Sequence, residues 1–234
     1  MRKTIVTAAG PNMAPVLTTF ALPLFASFAD RHSYRMQVTY VTEDDADRWS
    51  ATAKSVRWQK LRLIRSALEQ SDVVVWFDAD VLICRSDTDI VDLLGTTDYQ
   101  GLVLHSVPSE NRINPNTGVW VIRNTEKAFR FLDTAMEIGI PAGRWADQGA
   151  VLRALGWVLG NEHYDGARMP DKPTEFMHGT TWLPIGWNQP YLEKYLCRPM
   201  DPNPFAVHFM GMSIADRMKY MREVADRYAN QRPE

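Results

Sequence analysis

The order of apolar and polar positions predicts strands and helices that alternate along most of the chain. Residues 3–9 and Met36 to Val41 have the character of strands, and a helical stretch lies between them. Residues 54–70 place apolar side chains at helical spacing on one face, which predicts an amphipathic helix. This alternation is typical of an α/β protein with a mostly parallel central sheet flanked by helices.

The run Val73 to Phe77 is the clearest strand. It is continuous, rich in β-branched residues and free of polar alternation, as expected for a central strand covered on both faces. Residues 160–203 are rich in Pro and Gly, which predicts long loops over a site. Further strands are predicted at Gly101 to His105, Val119 to Ile122 and Ala206 to Phe209, and further helices at Thr125 to Ile138, Gln148 to Leu155 and Ile214 to about Tyr228.

Composition narrows the classes of partner and compartment. The 234 residues carry 26 basic and 28 acidic side chains that are well mixed, so no basic field is available to bind nucleic acid. Two cysteines, Cys84 and Cys197, leave a disulfide open but fit a reducing compartment. The first strand begins almost at Met1 and no apolar run approaches the ~20 residues of a membrane span, which predicts a cytoplasmic protein without a transmembrane segment.

Two carboxylates directly follow the buried strand. Because side chains alternate along an extended chain, Asp78 and Asp80 point the same way, at the strand end where open α/β sheets bind ligands. Two hard oxygen ligands suit Mg²⁺ or Mn²⁺ bridging a diphosphate, although acidic residues after a strand are often solvated caps. His208 is a candidate third ligand; the alternative is a hydrogen-bonded core histidine.

Three other segments carry candidate chemistry, and each has a simpler interpretation. Asp147-Gln148 opens a predicted helix, where Asp147 could be an N-cap. Asn116-Thr117-Gly118 enters a predicted strand and could be an ordinary turn. Lys60 and Arg65 lie on the helix before the Asp78 strand, where they could form a solvated basic edge.

The order of these segments resembles glycosyltransferase family 34, the α-galactosyl-, xyloglucan xylosyl- and yeast-type mannosyltransferases. The resemblance spans roughly residues 54–212, and its specific part runs from Trp58 to Leu82. The segments that carry it are Trp58-Gln59-Lys60 with Ile64-Arg65, Trp76-Phe77-Asp78-Ala79-Asp80, Asn116-Thr117-Gly118 with Ile122-Arg123-Asn124, Asp147-Gln148 and His208-Phe209-Met210-Gly211.

The resemblance implies a single GT-A domain over residues 1–234. Its nucleotide-sugar half would cover about 1–122, and its acceptor and catalytic half about 123–234. The implied reaction is a Mn²⁺-dependent (or Mg²⁺-dependent) retaining transfer of galactose, glucose, xylose or mannose. The donor would be a UDP- or GDP-sugar, and the acceptor a hydroxyl group of a carbohydrate or another molecule.

The resemblance also implies roles for individual residues. The metal ligands would be Asp78, Asp80 and His208. The catalytic residues on the β face of the sugar would be Asp147 and Gln148. Apart from the resemblance, the loops of residues 160–203 are expected to set the acceptor, with Trp187 and Asn188 as the predicted contacts. The nucleotide-sugar contacts would be Thr7, Ala8, Ala9, Lys60, Arg65, Asp78, Ala79, Asn116, Thr117, Gly118 and Gly211.

The chain departs from the family pattern at two positions. Ser213 stands where the family commonly has a Lys that touches the diphosphate, and Arg217 or Lys219 is the candidate replacement. Ala146 precedes Asp147 where the family often doubles the acid, so one sugar or acceptor contact is expected to be lost.

Three other functions compete with sugar transfer. A phosphatase of the haloacid dehalogenase class would use Asp78 as nucleophile and Asp80 as acid/base, but that class normally begins with this strand. A sugar-1-phosphate nucleotidyltransferase needs basic residues after the first strand, and residues 8–12 contain none. A non-catalytic carbohydrate-binding module would use Trp182, Trp187 and Tyr191 as stacking platforms.

Overall fold

The computed structural model describes residues 1–42, 58–108, 112–139, 145–160, 167–192, 195 and 200–229. The strands are β1 (Lys3–Ala9), β2 (Tyr34–Tyr40), β3 (Val73–Phe77), β4 (Val81–Ile83), β5 (Gln100–Val107), β6 (Arg112–Arg123), β7 (Thr180–Leu183), β8 (Gln189–Pro190) and β9 (Ala206–His208). The longer helices are α1 (Leu22–His32), α2 (Gln59–Leu68), α3 (Glu126–Ile138), α4 (Ala146–Ala154) and α5 (Ile214–Ala229). Shorter helical segments are Ala14–Val16, Leu17–Ala21, Ile90–Leu93 and Ile185–Trp187.

A six-stranded sheet in the order β2-β1-β3-β6-β5-β7 forms the centre of the fold. Strand β1 pairs in parallel with β2 and β3, and β5 pairs in parallel with β7, whereas β6 is antiparallel to both of its neighbours. One apolar cluster joins α1 and α5 to one face, and a second joins α2, α3 and α4 to the other. The predicted α/β architecture with a mostly parallel sheet is confirmed.

The local predictions agree best where the apolar pattern is strongest. Strand β3 has the predicted bounds, and every one of its residues is buried. Helix α3 also agrees with the predicted helix from Thr125 to Ile138. Thr125 is its N-cap and accepts a hydrogen bond from the Ala128 amide. Helix α2 begins at Gln59, and the start predicted at residue 54 lies outside the described residues.

The prediction of loops throughout residues 160–203 is wrong at Thr180–Leu183. This segment is β7, which pairs in parallel with β5 at the edge of the main sheet. The mixed polarity of Thr180-Thr181-Trp182-Leu183 follows from its edge position, since its residues other than Leu183 are only partly buried.

A second sheet of three short strands, in the order β4-β9-β8, lies beyond the end of β3. Strand β9 is antiparallel to β4, with Val81 opposite His208. The backbone amide of Phe209 also donates to the carbonyl of Asp80 at 2.9 Å. This pairing brings a segment near the carboxyl end of the chain against the residues that follow β3.

Two further expectations concern the cysteines and the membrane. The thiol of Cys84 is free, its burial raises its pKa to about 12, and Cys197 lies outside the described residues. In the described part of the chain, helices are too short or too polar to span a bilayer.

Candidate active site

A cavity of about 630 Å³ opens where β1 and β3 end. This is the edge of the sheet at which α/β proteins bind ligands, because several strands deliver side chains to it. Its lining comes from segments that are distant in sequence: Ala8 to Met13, Lys60, Trp76, Asp78 to Asp80, Arg112, Asn116, Thr117, Trp145 to Gln148, Tyr195, His208, Met210, Gly211, Ile214 and Arg217.

Asp78, Asp80 and His208 converge inside this cavity. His208 Nε2 lies 3.3 Å from Asp80 Oδ1 and 3.8 Å from Asp78 Oδ2. One ligand atom from each residue falls within 4.8 Å of the others, a spacing that one divalent cation can bridge after small side-chain rotations. The predicted convergence of the three residues is therefore present, and the pairing of β4 with β9 produces it.

Arg217 forms a salt bridge with Asp80. Its Nε donates to Asp80 Oδ2 at 2.8 Å, and its Nη1 donates to the Met212 carbonyl at 2.6 Å. Burial opposes ionisation of Asp80, but the neighbouring His208 and Arg217 more than offset it and hold the pKa of this carboxyl well below its usual range. Asp80 is thus ionised at neutral pH.

Lys60 is the buried cation that joins the two acidic parts of the cavity. Its Nζ lies 2.9 Å from Asp78 Oδ1 and 3.1 Å from Asp147 Oδ2, and it donates to the carbonyl and hydroxyl oxygens of Thr117 at 3.2 Å. Burial by itself would lower the pKa of Lys60, but Asp147 and Asp78 raise it above 10.5. The simpler interpretation of Lys60 as a solvated basic residue is wrong.

Asp147 lies in the first turn of α4, not at its N-cap, which is Trp145. Asp147 is 5 % exposed and lines the cavity. Its Oδ2 faces Lys60 without a well-aligned hydrogen bond in the described part of the protein. A buried carboxylate oxygen with unused acceptor capacity is suited to receiving a hydroxyl group of a ligand.

A bulge in β6 presents the segment Asn116-Thr117-Gly118. The register with β5 jumps from Leu102 opposite Trp120 to Val103 opposite Asn116, so the intervening residues of β6 have no partner on β5. The Asn116 amide nitrogen is 3.4 Å from Gln148 Oε1. Bulges of this kind redirect side chains, and here the bulge turns Asn116 and Thr117 into the cavity.

Gly118 is the position where His208 approaches the backbone of β6. A Cβ at residue 118 would meet the His208 ring, at 2.5 Å from Nδ1. The glycine is therefore required by packing, and the simpler interpretation of Asn116-Thr117-Gly118 as an ordinary turn is wrong.

His105 lies behind the site and is fully buried. Its Nε2 donates to the carbonyl oxygen of Asn188 at 2.8 Å, while its Nδ1 has no partner in the described part of the chain. Burial lowers the pKa of His105 to about 3 from the ordinary 6.5. The unfolded chain therefore takes up a proton at His105 at a higher pH than the folded protein does.

We expect His105 to make folding stability fall as the pH decreases from about 6.5 towards about 3. At pH 5 its contribution should be roughly 2 kcal/mol smaller than at pH 8. The His105→Gln variant retains a donor for the Asn188 carbonyl but does not titrate. Urea unfolding at both pH values should show a smaller loss of stability in the variant than in the wild type; equal losses would contradict the assignment.

Most residues predicted from the sequence line the cavity, but five do not. Arg65 binds Asp133 at 2.6 Å and Glu69 at 2.8 Å on the outer side of α2. Thr7 is fully buried in β1 behind Ala8 and Ala9, and its hydroxyl has no partner among the described residues. Gly118 contacts His208 from below the cavity surface. These positions argue against direct ligand contacts by Arg65 and Thr7.

Trp187 and Asn188, predicted to contact the acceptor, lie inside the protein. The Trp187 ring is 1 % exposed, stacks on Phe205 at 4.4 Å and meets Phe28 edge-on at 6.3 Å. Asn188 is fully buried and faces His208. The acceptor prediction is therefore corrected: an aromatic residue in a Pro- and Gly-rich segment suggests a binding platform, whereas Trp187 anchors that segment to the core.

The lining also contains large polar and aromatic side chains that were not predicted from the sequence, namely those of Arg112, Trp145 and Tyr195. Arg112 is 5 % exposed, donates to Asn114 and has its guanidinium 5.8 Å from the centre of the Tyr195 ring. Trp145 lies beside Asp147, and its neighbours Gly143 and Arg144 are outside the described residues. Neither Arg112 nor Tyr195 belongs to a motif, so no local signal points to them.

No family model and no curated protein matches the sequence. A glycosyltransferase involved in glycosylation of the major capsid of PBCV-1 aligns over 95 % of this chain and 100 % of its own, with a TM-score of 0.64 and 15 % identity.

Two other solved structures extend the similarity. The galactosyltransferase LgtC, in complex with donor and acceptor sugar analogues, aligns over 96 % of this chain and 95 % of its own, with a TM-score of 0.50 and 17 % identity. Mouse xyloside xylosyltransferase 1 aligns over 90 % of this chain and 98 % of its own, with a TM-score of 0.52 and 10 % identity. Strand β3 is the third strand of the sheet in chain order, whereas the dehalogenase alternative requires it to be the first. The chain therefore has the GT-A fold of these glycosyltransferases.

Proposed function

We propose that this protein is a metal-dependent retaining glycosyltransferase. It transfers a sugar such as galactose, glucose, xylose or mannose from a UDP- or GDP-sugar to the hydroxyl of a carbohydrate or another acceptor. The observation that carries the proposal is the cluster of Asp78, Asp80 and His208 within a cavity that also contains Asp147 and Gln148. The GT-A fold supports it independently.

The donor set fits a divalent cation. Two carboxylate oxygens and one imidazole nitrogen face a common point, and mixed nitrogen and oxygen ligands suit Mn²⁺ better than Mg²⁺, which favours oxygen. When bound, such an ion stabilises the negative charge that develops on the departing diphosphate. Asp78, Asp80 and His208 are the residues that would hold it.

Arg217 is the proposed replacement for the family lysine that is absent at Ser213. The Ser213 hydroxyl is 2.7 Å from Asp216 at the start of α5, and the Lys219 ammonium lies 5.0 Å from the centre of the Tyr220 ring. Arg217, by contrast, lines the cavity beside Asp80. A fixed guanidinium at this position would neutralise the diphosphate as the sugar leaves.

Asp147 and Gln148 are the proposed groups on the β face of the sugar. Loss of the diphosphate makes the anomeric carbon electron-poor, and a carboxylate or amide oxygen on the opposite face stabilises that charge. Lys60 fixes Asp147, and Asn116 lies next to Gln148, so both groups are held before the sugar enters. Such preorganisation lowers the cost of reaching the transition state.

The nucleotide is proposed to lie along the segment that follows β1, against Ala8 and Ala9. The acceptor is proposed to meet Trp145 and Tyr195, which line the cavity and take the role predicted for Trp187. Aromatic rings of this kind pack well against the apolar faces of sugars.

A thermal-shift screen of UDP, GDP and their sugars with and without Mn²⁺ tests the proposal. At a ligand concentration of about 100 times Kd, binding adds about 2.7 kcal/mol to the stability of the folded state. For a protein of 234 residues this corresponds to roughly 5–10 °C in Tm. The nucleoside monophosphates, which lack the diphosphate, are the matched control and should give a smaller shift.

Hydrolysis of the matching sugar nucleotide in the absence of acceptor should accompany binding. The anomeric configuration of the released sugar, followed by NMR before mutarotation, should be that of the donor. No shift with any nucleotide in the presence of Mn²⁺ would overturn the proposal. Binding without turnover would support a carbohydrate- or nucleotide-binding protein in place of an enzyme.

A further inference from the structure

A chain of hydrogen bonds runs behind His208, on the side of the ring that faces away from Asp78 and Asp80. The backbone amide of Gly118 donates to Asn116 Oδ1 at 2.8 Å, and Asn188 Nδ2 lies 2.8 Å from the same oxygen. Asn188 Oδ1 lies 2.9 Å from His208 Nδ1. The side chains of Asn116, Asn188 and His208 are buried, so water does not compete for these bonds.

The backbone amide of Gly118 fixes the donor and the acceptor of every hydrogen bond in this series. A backbone N–H only donates, so the atom of Asn116 that faces Gly118 must be the amide oxygen. Asn188 must then present its NH₂ group to that oxygen, which turns its own amide oxygen towards His208. Since a carbonyl oxygen only accepts, His208 Nδ1 must carry a proton.

The consequence lies at the other ring nitrogen. A neutral imidazole with a proton on Nδ1 has its lone pair on Nε2, and Nε2 is the nitrogen that lies 3.3 Å from Asp80 and 3.8 Å from Asp78. Only a nitrogen with a lone pair can bind a cation. The hydrogen-bond chain therefore prepares His208 in the one neutral form that can act as a ligand at this position.

Asn188 is itself held rigidly. Its backbone carbonyl accepts from His105 Nε2 at 2.8 Å, and the preceding Trp187 is buried against Phe205. Rotating the Asn188 amide by half a turn would set its oxygen against Asn116 Oδ1 and its NH₂ against the protonated Nδ1. The contact between the two amide oxygens would be repulsive whichever nitrogen of His208 carries the proton, so the fold offers no second arrangement of similar energy.

We propose that Asn188 is a positioning residue that commits His208 to the tautomer protonated at Nδ1 and aims His208 Nε2 at a divalent cation shared with Asp78 and Asp80. The inference rests on the proposed function, because it assumes that a cation binds there. It reassigns Asn188 from the acceptor contact predicted from the sequence to a group that touches neither sugar nor metal. Hydrogen-bond partners of this kind typically contribute 10- to 100-fold to metal affinity.

The first test reads the tautomer in the wild-type protein. With ¹⁵N-labelled histidine, two-bond ¹H–¹⁵N correlation spectra distinguish the two neutral forms of each ring. His208 should carry a proton on Nδ1 both without metal and with Mg²⁺, and with Mg²⁺ bound its Nε2 should carry none. His105 supplies an internal reference of the opposite form, since its Nε2 donates to a carbonyl. A neutral His208 protonated at Nε2 would overturn the inference.

The second test measures Mn²⁺ affinity by titration calorimetry or by EPR detection of free Mn²⁺. Asn188→Leu keeps the volume but removes both polar atoms, and we expect Mn²⁺ to bind 10- to 100-fold more weakly, with His208 populating both neutral forms. Asn114→Leu is the matched control. Asn114 lies on β6 and is fully buried, like Asn188, but it is outside the hydrogen-bond chain. The affinity of this variant for Mn²⁺ should stay within about twofold of wild type.

The outcomes separate this inference from the proposed function. If the wild type binds no Mn²⁺, the proposed function fails whatever the tautomer is. If the wild type binds Mn²⁺ and Asn188→Leu binds it equally well with the same tautomer, the inference fails and the proposed function stands. Should Asn188→Leu not fold, the wild-type spectrum still decides which nitrogen carries the proton.

Discussion

Replacing Asp80 with Asn is expected to remove metal-dependent turnover of the sugar nucleotide almost completely. The amide has nearly the same shape, but it lacks the negative charge that would hold the cation beside His208 and Asp78. Losing stabilisation of the departing diphosphate should lower kcat at least 10²- to 10³-fold. Initial rates of UDP or GDP release at saturating Mn²⁺, together with Mn²⁺ affinity, measure the effect.

The control for this variant is Asp133→Asn. Asp133 also pairs with an arginine, Arg65, but lies on α3 outside the cavity. Its rate should stay within about twofold of wild type, since it contacts neither the proposed ion nor the sugar. If Asp80→Asn kept a tenth or more of the wild-type metal-dependent rate while folding normally, the cluster would not be the catalytic metal site.

Replacing Lys60 with Met is expected to destabilise the folded protein strongly. Lys60 is 4 % exposed, and its ammonium lies between the carboxylates of Asp78 and Asp147. Removing one partner of a buried ion pair leaves uncompensated charge in a region of low dielectric, which typically costs about 3–5 kcal/mol. The free energy of unfolding in urea, measured at pH 7 without ligand, should fall by about this amount.

A double-mutant cycle tests the cause of that loss. The double variant Lys60→Met/Asp147→Asn lacks one of the two carboxylates that Lys60→Met leaves without a partner, so part of the lost stability should return. Lys219→Met, on the exposed face of α5, is the control and should change stability by no more than about 0.5 kcal/mol. Additive effects of the two substitutions would mean that Lys60 and Asp147 are not energetically coupled.

The raised pKa of Lys60 determines how its contribution to folding stability depends on pH. The pKa of Lys60 in the folded protein is raised above its ordinary value of 10.5, so the folded state binds this proton more tightly than the unfolded chain. The contribution is therefore complete below about pH 10.5 and is lost as the pH rises through the higher folded-state value. Measurements near neutral pH record all of it.

The apolar pattern determined much of the fold. The unalternating run of β3 and the periodicity of α3 were recognised with little error, because both depend on side chains that are close in sequence. The carboxylates of Asp78 and Asp80 were predictable for the same reason: a strand end and an alternation of two residues are local properties. The edge strand β7 was missed because its partial exposure leaves no continuous apolar signal.

The resemblance pointed to His208 as a partner of the two carboxylates, but only the tertiary structure shows how the rest of the site is assembled. His208 meets the carboxylates because β9 pairs with β4 in one register, and a register between distant strands leaves no trace in either segment. The same holds for Arg217 on Asp80 and for Lys60 between Asp78 and Asp147, which are contacts between separate elements. By itself, the sequence determined which residues could do chemistry; which of them share one cavity was decided only when the two sheets packed together.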